Sequence, residues 1–172
     1  DVYKRQGLTK PKAAITGTGF GGVIEAVGKE VSLFKVGEEV FGETVFGFGT
    51  NAEYISVSED DVFLTKQLNV SFEEAATICD GPLTSWNFLK VIGNIQSGQK
   101  VLINGASGSL GTAGVQLAKY FGAEVTGVCS GANVELVKSL GADRVIDYKT
   151  DDFTENGETY DLIYDTIGKS SF

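Results

Sequence analysis

The sequence predicts an α/β fold: a doubly wound parallel sheet, incomplete as the chain stands, preceded by part of a small all-β domain. Three observations carry this. Residues 101–131 read VLINGASGSLGTAGVQLAKYFGAEVTGVCSG. A short apolar run meets a turn holding Gly105, Gly108 and Gly111, and an amphipathic stretch then leads to a second apolar run, Val125–Val128. Strand, glycine turn, helix and strand form the unit that binds a dinucleotide pyrophosphate. Second, another helical period and two more apolar runs follow. Third, residues 12–63 hold short β-like runs broken by glycines, the pattern of a small all-β domain.

The elements follow in order. Val23–Val27 reads as a strand ending at Gly28, and Phe34–Gly42 as two short runs with a turn at Gly37. Ala52–Val57 alternates apolar and polar residues and reads as a further strand. The period then changes. Ser71 and Glu74 make a capping box ahead of a helix through Ala75–Ile78, and Pro82 interrupts it. Leu83–Val91 is a second helical run, stopped near Gly93, and the hinge between domains is expected between about Asp80 and Lys100. After the glycine turn, Leu110, Ala113, Gly114, Leu117, Ala118 and Phe121 share one helical face. Val134, Val137 and Leu140 do so in the next helix, which Gly141 ends. Val145–Ile146 and Asp161–Asp165 are the third and fourth strands, with 3-2-1-4 the expected spatial order.

The chain has 172 residues, 42% of them hydrophobic, which suits one ordinary domain or two incomplete ones. The formal net charge is −9. Residues 1–80 carry 13 acidic and 7 basic groups, and residues 81–172 carry 10 and 7. With no basic patch, nucleic acid is not an expected partner. No apolar run is long enough to span a bilayer and no signal peptide is visible, so a cytoplasmic protein that does not enter the membrane is expected. Cys79 and Cys129 stand alone and histidine is absent, so imidazole serves neither as base nor as metal ligand in this chain. Asp1–Gln6 reads as a non-native junction, and the chain as an internal fragment expected to be inactive alone.

The turn from Gly105 through Ala106, Ser107, Gly108, Ser109 and Leu110 to Gly111 is the expected pyrophosphate cradle. A turn without Cβ atoms admits phosphates closely, and the unpaired amides of the first helical turn meet their charge. NAD-binding sites place an acid after the second strand, where this chain has Cys129-Ser130-Gly131. Ser130 can donate to a 2′-phosphate, so NADPH is favoured over NADH. Lys138 is a candidate for charge compensation, against the plainer role of a solvated helix face.

Taken together, GVIEAVG, FKVGEEVFG, SFEEAATICDGPLTSWNFL, NGASGSLGTAGVQLAKYFGAEV and SLGADRVIDY resemble the medium-chain dehydrogenase/reductase superfamily, nearest its zinc-free quinone oxidoreductase branch. The likeness covers Ala14 to Gly168. It implies part of a GroES-like catalytic domain at 7–85 and part of a Rossmann domain at 86–172, with the active site in the cleft between them and a homodimeric full-length protein. Zinc-containing relatives carry a ligand histidine where this chain has Thr18, and a ligand cysteine where it has Asp80, one place from Cys79. Their four-cysteine lobe has no counterpart, so no metal is expected, and Cys79 reads as a small packing residue. The resemblance places Thr84 near a nicotinamide, although Thr84 also suits a helix N-cap. It makes Thr166, Ile167 and Gly168 the loop lining that ring. It sets Ser130, Asn133 and Tyr148 around a 2′-phosphate, with Asn133 standing where many relatives have lysine. The implied activity is hydride transfer from NADPH to a small-molecule acceptor, a quinone or an α,β-unsaturated carbonyl. A non-catalytic NADPH-binding protein and an enoyl-thioester reductase are the alternatives.

Overall fold

A computed structural model describes residues 14–44 and 48–168. The segment 1–6, read from the sequence as a junction, lies outside them. The chain divides after Cys79 into two units, 1–79 and 80–172.

The first unit is built on an antiparallel sheet of β1 (Gly19–Val23), β2 (Glu39–Glu43) and β3 (Val62–Thr65), with β2 in the middle. Helix α1 (Phe72–Ile78) lies across β1 and β2. The glycines of β1 make this possible. A Cβ on Gly19 would sit 2.8 Å from the Ala76 carbonyl oxygen, and one on Gly21 2.9 Å from that of Phe72. Val40, Phe63 and Ala75 form the buried centre, and Phe34 stacks on Phe63 with ring centroids 4.3 Å apart. The capping box is present: Glu74 N–H donates to Ser71 Oγ at 3.1 Å, and Ser71 N–H to Glu74 Oε2 at 2.9 Å.

Three strand expectations need correction here. The first strand covers Gly19–Val23 rather than Val23–Val27. Its partner turns away at Gly37, where φ is +91°, so residues beyond Ile24 find no ladder. Phe34 is a core aromatic outside any strand, and only Glu39–Glu43 of that region pairs. Ala52–Val57 forms no strand despite its alternation, because no neighbouring segment offers it a ladder. The third strand is instead Val62–Thr65.

The second unit opens with α2 (Gly81–Trp86), which runs into a π-helical turn at Asn87–Ile92 capped by Gly93. Pro82 sits in the first turn of α2, where a missing N–H costs nothing, so it begins a helix rather than only ending one. Then come β4 (Lys100–Asn104), α3 (Ser109–Tyr120), β5 (Glu124–Cys129), a 3₁₀ turn at Gly131–Asn133, α4 (Val134–Ser139), β6 (Arg144–Asp147) and β7 (Leu162–Asp165). The four strands are parallel in the order β6-β5-β4-β7, which is 3-2-1-4 of a doubly wound sheet.

Val101, Leu102 and Ile103 are wholly buried because both faces of the central strand are covered. On one face α3 and α4 pack onto Ile103, Val125 and Tyr164. A Cβ on Gly127 would come 2.6 Å from Val137 Cγ1, so this glycine lets α4 approach the sheet. On the other face Phe153 and Tyr160 cover Leu102, Val128 and Ile146. Among the described residues no helix is long and apolar enough to cross a membrane.

Ser71→Ala removes one half of the capping box and frees a helix amide. It should lower unfolding free energy by about 1 kcal/mol, read as a shifted urea midpoint at unchanged slope.

Candidate functional site

The sheet's central strand delivers the chain to a sharp turn. Gly105 follows Asn104 at φ +81°, a left-handed conformation that glycine adopts without a Cβ penalty. A Cβ there would collide with Thr166 Oγ1 and lie 2.7 Å from Ile167 Cδ1, so the turn and the loop after β7 touch directly. The Gly105 and Ala106 amides both donate to the Val128 carbonyl, at 3.0 and 2.9 Å. The Gly108 amide donates back to the Gly105 carbonyl at 3.0 Å. These three donors hold the turn's shape and are not free for a ligand. Helix geometry leaves the amides of Ser109, Leu110 and Gly111 without an intrahelical acceptor, and no side chain caps α3. With the helix dipole they form the anion-facing end of the site.

A cleft of about 720 Å³ opens at this end of the sheet. It brings together Gly105, Ser107, Gly108, Ser109, Leu110, Ser130, Asn133, Tyr148, Thr166 and Ile167 from the residues expected of a cofactor site. Four expected residues stand outside its lining. Ala106 is fully buried. Gly111 is also buried, and a Cβ on it would collide with the Gly105 carbonyl, so it lets α3 start against the turn. Gly168 is exposed beyond the rim, at φ +67°. Thr84 is half-buried within α2 and does not cap it, because Asp80 holds that position. The cleft also takes in Asn104, Val128, Cys129 and Phe153.

Among the described residues, no charged side chain lines the cleft. Its polarity comes from a small network. Asn133 Nδ2 donates to Ser107 Oγ at 3.1 Å and to Ser130 Oγ at 3.2 Å. Each hydroxyl thus accepts from the amide and keeps its own proton to donate to an anion. One carboxylate does approach this region, against the sequence expectation: Asp147, at the end of β6, packs on Gly131. No pattern in the sequence shows that β6 delivers an acid to the end of β5, because the parallel register sets it. Burial pushes the Cys129 thiol pKa up, and the nearby Asp147 charge adds to this. Cys79, in the first unit, is likewise pushed up by burial, with Glu43 adding, and its place is that of a packing residue.

Ser85 is a residue the sequence pattern does not single out. It is fully buried, its Oγ donates to the Leu110 carbonyl at 2.8 Å, and it lies 3.2 Å from the Tyr164 hydroxyl. It ties the helix bearing Thr84 to the first turn of α3 and to β7. A small polar residue in an amphipathic run carries no signal of this.

A second hollow, of about 820 Å³, lies within the first unit. Phe20, Phe34, Val40 and Phe63 line its apolar side, and Glu25, Glu53, Glu59 and Glu73 also border it, a lining that disfavours a phosphate. Among the described residues, no group of three or more His, Cys, Asp or Glu side chains could hold a metal ion.

Known proteins share this architecture. The alcohol dehydrogenase GroES-like domain matches residues 1–67, and the zinc-binding dehydrogenase family matches residues 109–172. The chain belongs to the medium-chain dehydrogenase/reductase superfamily. It is 37% identical to the 2-methylene-furan-3-one reductase of Solanum lycopersicum, over 98% of this chain and 46% of that protein. It is 33% identical to the chloroplastic NADPH-dependent alkenal/one oxidoreductase of Arabidopsis thaliana, with the same two coverages. The structure of the quinone oxidoreductase from Coxiella burnetii superposes with a TM-score of 0.86 at 29% identity, over 97% of this chain and 52% of that one. The chain thus spans about half the length of the relatives it matches.

Gly105→Ala places a methyl against Thr166 and Ile167 in a strained conformation. It should cost about 2–4 kcal/mol of stability and abolish nucleotide binding, as measured by thermal unfolding with and without ligand. The raised thiol pKa values make a second test. Thiolate is the reactive form, and a folded pKa above the unfolded one leaves less of it in the native protein at any pH. Iodoacetamide at pH 8 should therefore label both cysteines slowly in the native state and rapidly in urea, with native labelling rising only as pH climbs further.

Proposed function

We propose that the protein carrying this chain transfers hydride from NADPH to a small electron-poor acceptor, a quinone or an α,β-unsaturated carbonyl, without zinc. The observation that carries this reading is the cleft at the glycine turn, where the Ser107 and Ser130 hydroxyls are oriented by Asn133. The geometry fits a dinucleotide. Gly105 and Gly108 keep the backbone low, and the first-turn amides of α3 would face the pyrophosphate. Ser130 and Ser107 would donate to a 2′-phosphate, with Tyr148 flanking it. Thr166 and Ile167 would line the nicotinamide, and Thr84 is proposed to lie near the same ring.

A bound reduced nicotinamide supplies the hydride. The chain's own contribution is to hold that ring at a fixed height above the glycine turn and to keep water from it. Acceptor polarisation would fall to hydroxyls and backbone amides. The metal-free reading is supported by Thr18, which has no ligand atom of the soft or imidazole kind that tetrahedral zinc takes. The relatives named for enone, alkenal and quinone reduction support the acceptor class. Two free cysteines suit a reducing compartment, and the cytoplasm is the one proposed.

The full-length protein should oxidise NADPH when given a quinone or an enone, more efficiently than NADH, and 1,10-phenanthroline should leave the rate unchanged. Ser130→Ala should raise KM for NADPH about tenfold and barely move that for NADH, as expected for one hydrogen bond to a charged group. Tight NADPH binding with no turnover across the panel would favour the non-catalytic alternative, and chelator-sensitive turnover would refute the metal-free mechanism.

A further inference from the structure

We propose that Asn104 is a positioning residue that fixes the nicotinamide-facing loop, Thr166–Gly168, against the phosphate turn. This rests on the nucleotide reading above and adds to it a residue that the glycine motif does not include.

Asn104 is the last residue of β4 and immediately precedes Gly105. Its two ends hold the loop in different ways. The backbone carbonyl accepts from Thr166 N–H at 3.1 Å and from Thr166 Oγ1 at 2.8 Å. The side-chain Nδ2 donates to Asp165 Oδ1 at 3.0 Å. That same oxygen accepts from the Ile167 amide at 2.9 Å and the Gly168 amide at 3.3 Å. One side chain thus reaches the loop through a single carboxylate oxygen. The parallel register pairs Asn104 with Asp165, so the two side chains meet at the end of the sheet without distorting either strand.

The chemistry is specific. Asn104 is 9% exposed, and a donor that little exposed needs its partner. A carboxamide donates to a carboxylate and stays neutral, whereas an acid at 104 would set two like charges face to face. A Cβ on Gly105 would already collide with Thr166, so the turn and the loop have no slack between them. Loosening the Asn104 contact should therefore disturb the nicotinamide half of a bound dinucleotide and spare the adenosine half, which Ser107, Ser130 and Asn133 face.

The test compares whole and half ligands by calorimetry on the full-length protein: NADP⁺ against 2′-phospho-ADP-ribose, and NAD⁺ against ADP-ribose. Asn104→Asp should weaken the dinucleotide about tenfold or more and the half ligand less than about threefold. Asn104→Asp combined with Asp165→Asn restores an amide–carboxylate pair with the polarity reversed, and should bring the ratio back to within about threefold of the parent. Equal losses for both ligands, or no recovery in the double variant, would overturn the proposal. A second variant guards against misfolding. Asn104→Ser should speed hydrogen exchange at the Ile167 and Gly168 amides more than about tenfold while strand β4 stays protected, and unchanged exchange there would also overturn it. If the parent protein binds none of the four ligands, the nucleotide reading falls, while the exchange measurement still decides whether Asn104 clamps the loop.

Discussion

The second unit depends on how its central strand ends. After Asn104 the chain must leave a sheet buried on both faces and begin a helix within five residues. It does so through a left-handed Gly105 whose amide, with that of Ala106, shares the Val128 carbonyl. That shared acceptor locks the turn to β5. Gly111 then lets α3 begin against the turn, and the loop after β7 closes from the other side. Each contact consumes backbone groups that a looser turn would leave to water. What remains unpaired is the first turn of α3, facing the cleft.

The electrostatics follow from this economy. Among the described residues the cleft has no charged lining, and what they offer an anion is amides, hydroxyls and a helix dipole. Asn133 matters because it donates to both Ser107 and Ser130 and leaves their hydroxyl protons available to an anion. Asp147 stands at the margin, packed on Gly131 and raising the Cys129 thiol pKa through its charge after the larger effect of burial.

Membership of the medium-chain dehydrogenase/reductase superfamily accounts for both units, an antiparallel sheet followed by a parallel one. It leaves the chemistry to the residues this chain carries. Cys79 is a buried thiol at the end of α1. Ser85 joins α2, α3 and β7 through one buried hydroxyl, which ties the helix carrying Thr84 to the helix that follows the glycine turn.

The sequence by itself determined the parallel sheet, its strand order, the glycine turn and the helix face that packs on it. The strands, the turn and the helix face are written in local periodicity and in residues with few conformational options, such as the run Val101–Ile103 and the stop at Gly141, and the strand order follows from the doubly wound pattern they match. The turn side of the cleft was legible for the same reason, since a strand–turn–helix unit places its own residues, whereas Asn133, Tyr148, Thr166 and Ile167 came only from the family resemblance. Only the tertiary structure decided what depends on a neighbour. Ala52–Val57 alternates like a strand but has no ladder, whereas Gly19–Val23 pairs with β2 and its glycines leave room for α1. The register of β4 with β7 set Asn104 beside Asp165, and that of β5 with β6 brought Asp147 to Gly131. Asn104 and Asp165 lie 61 residues apart in sequence, and no local pattern encodes a contact that exists only once two strands lie side by side.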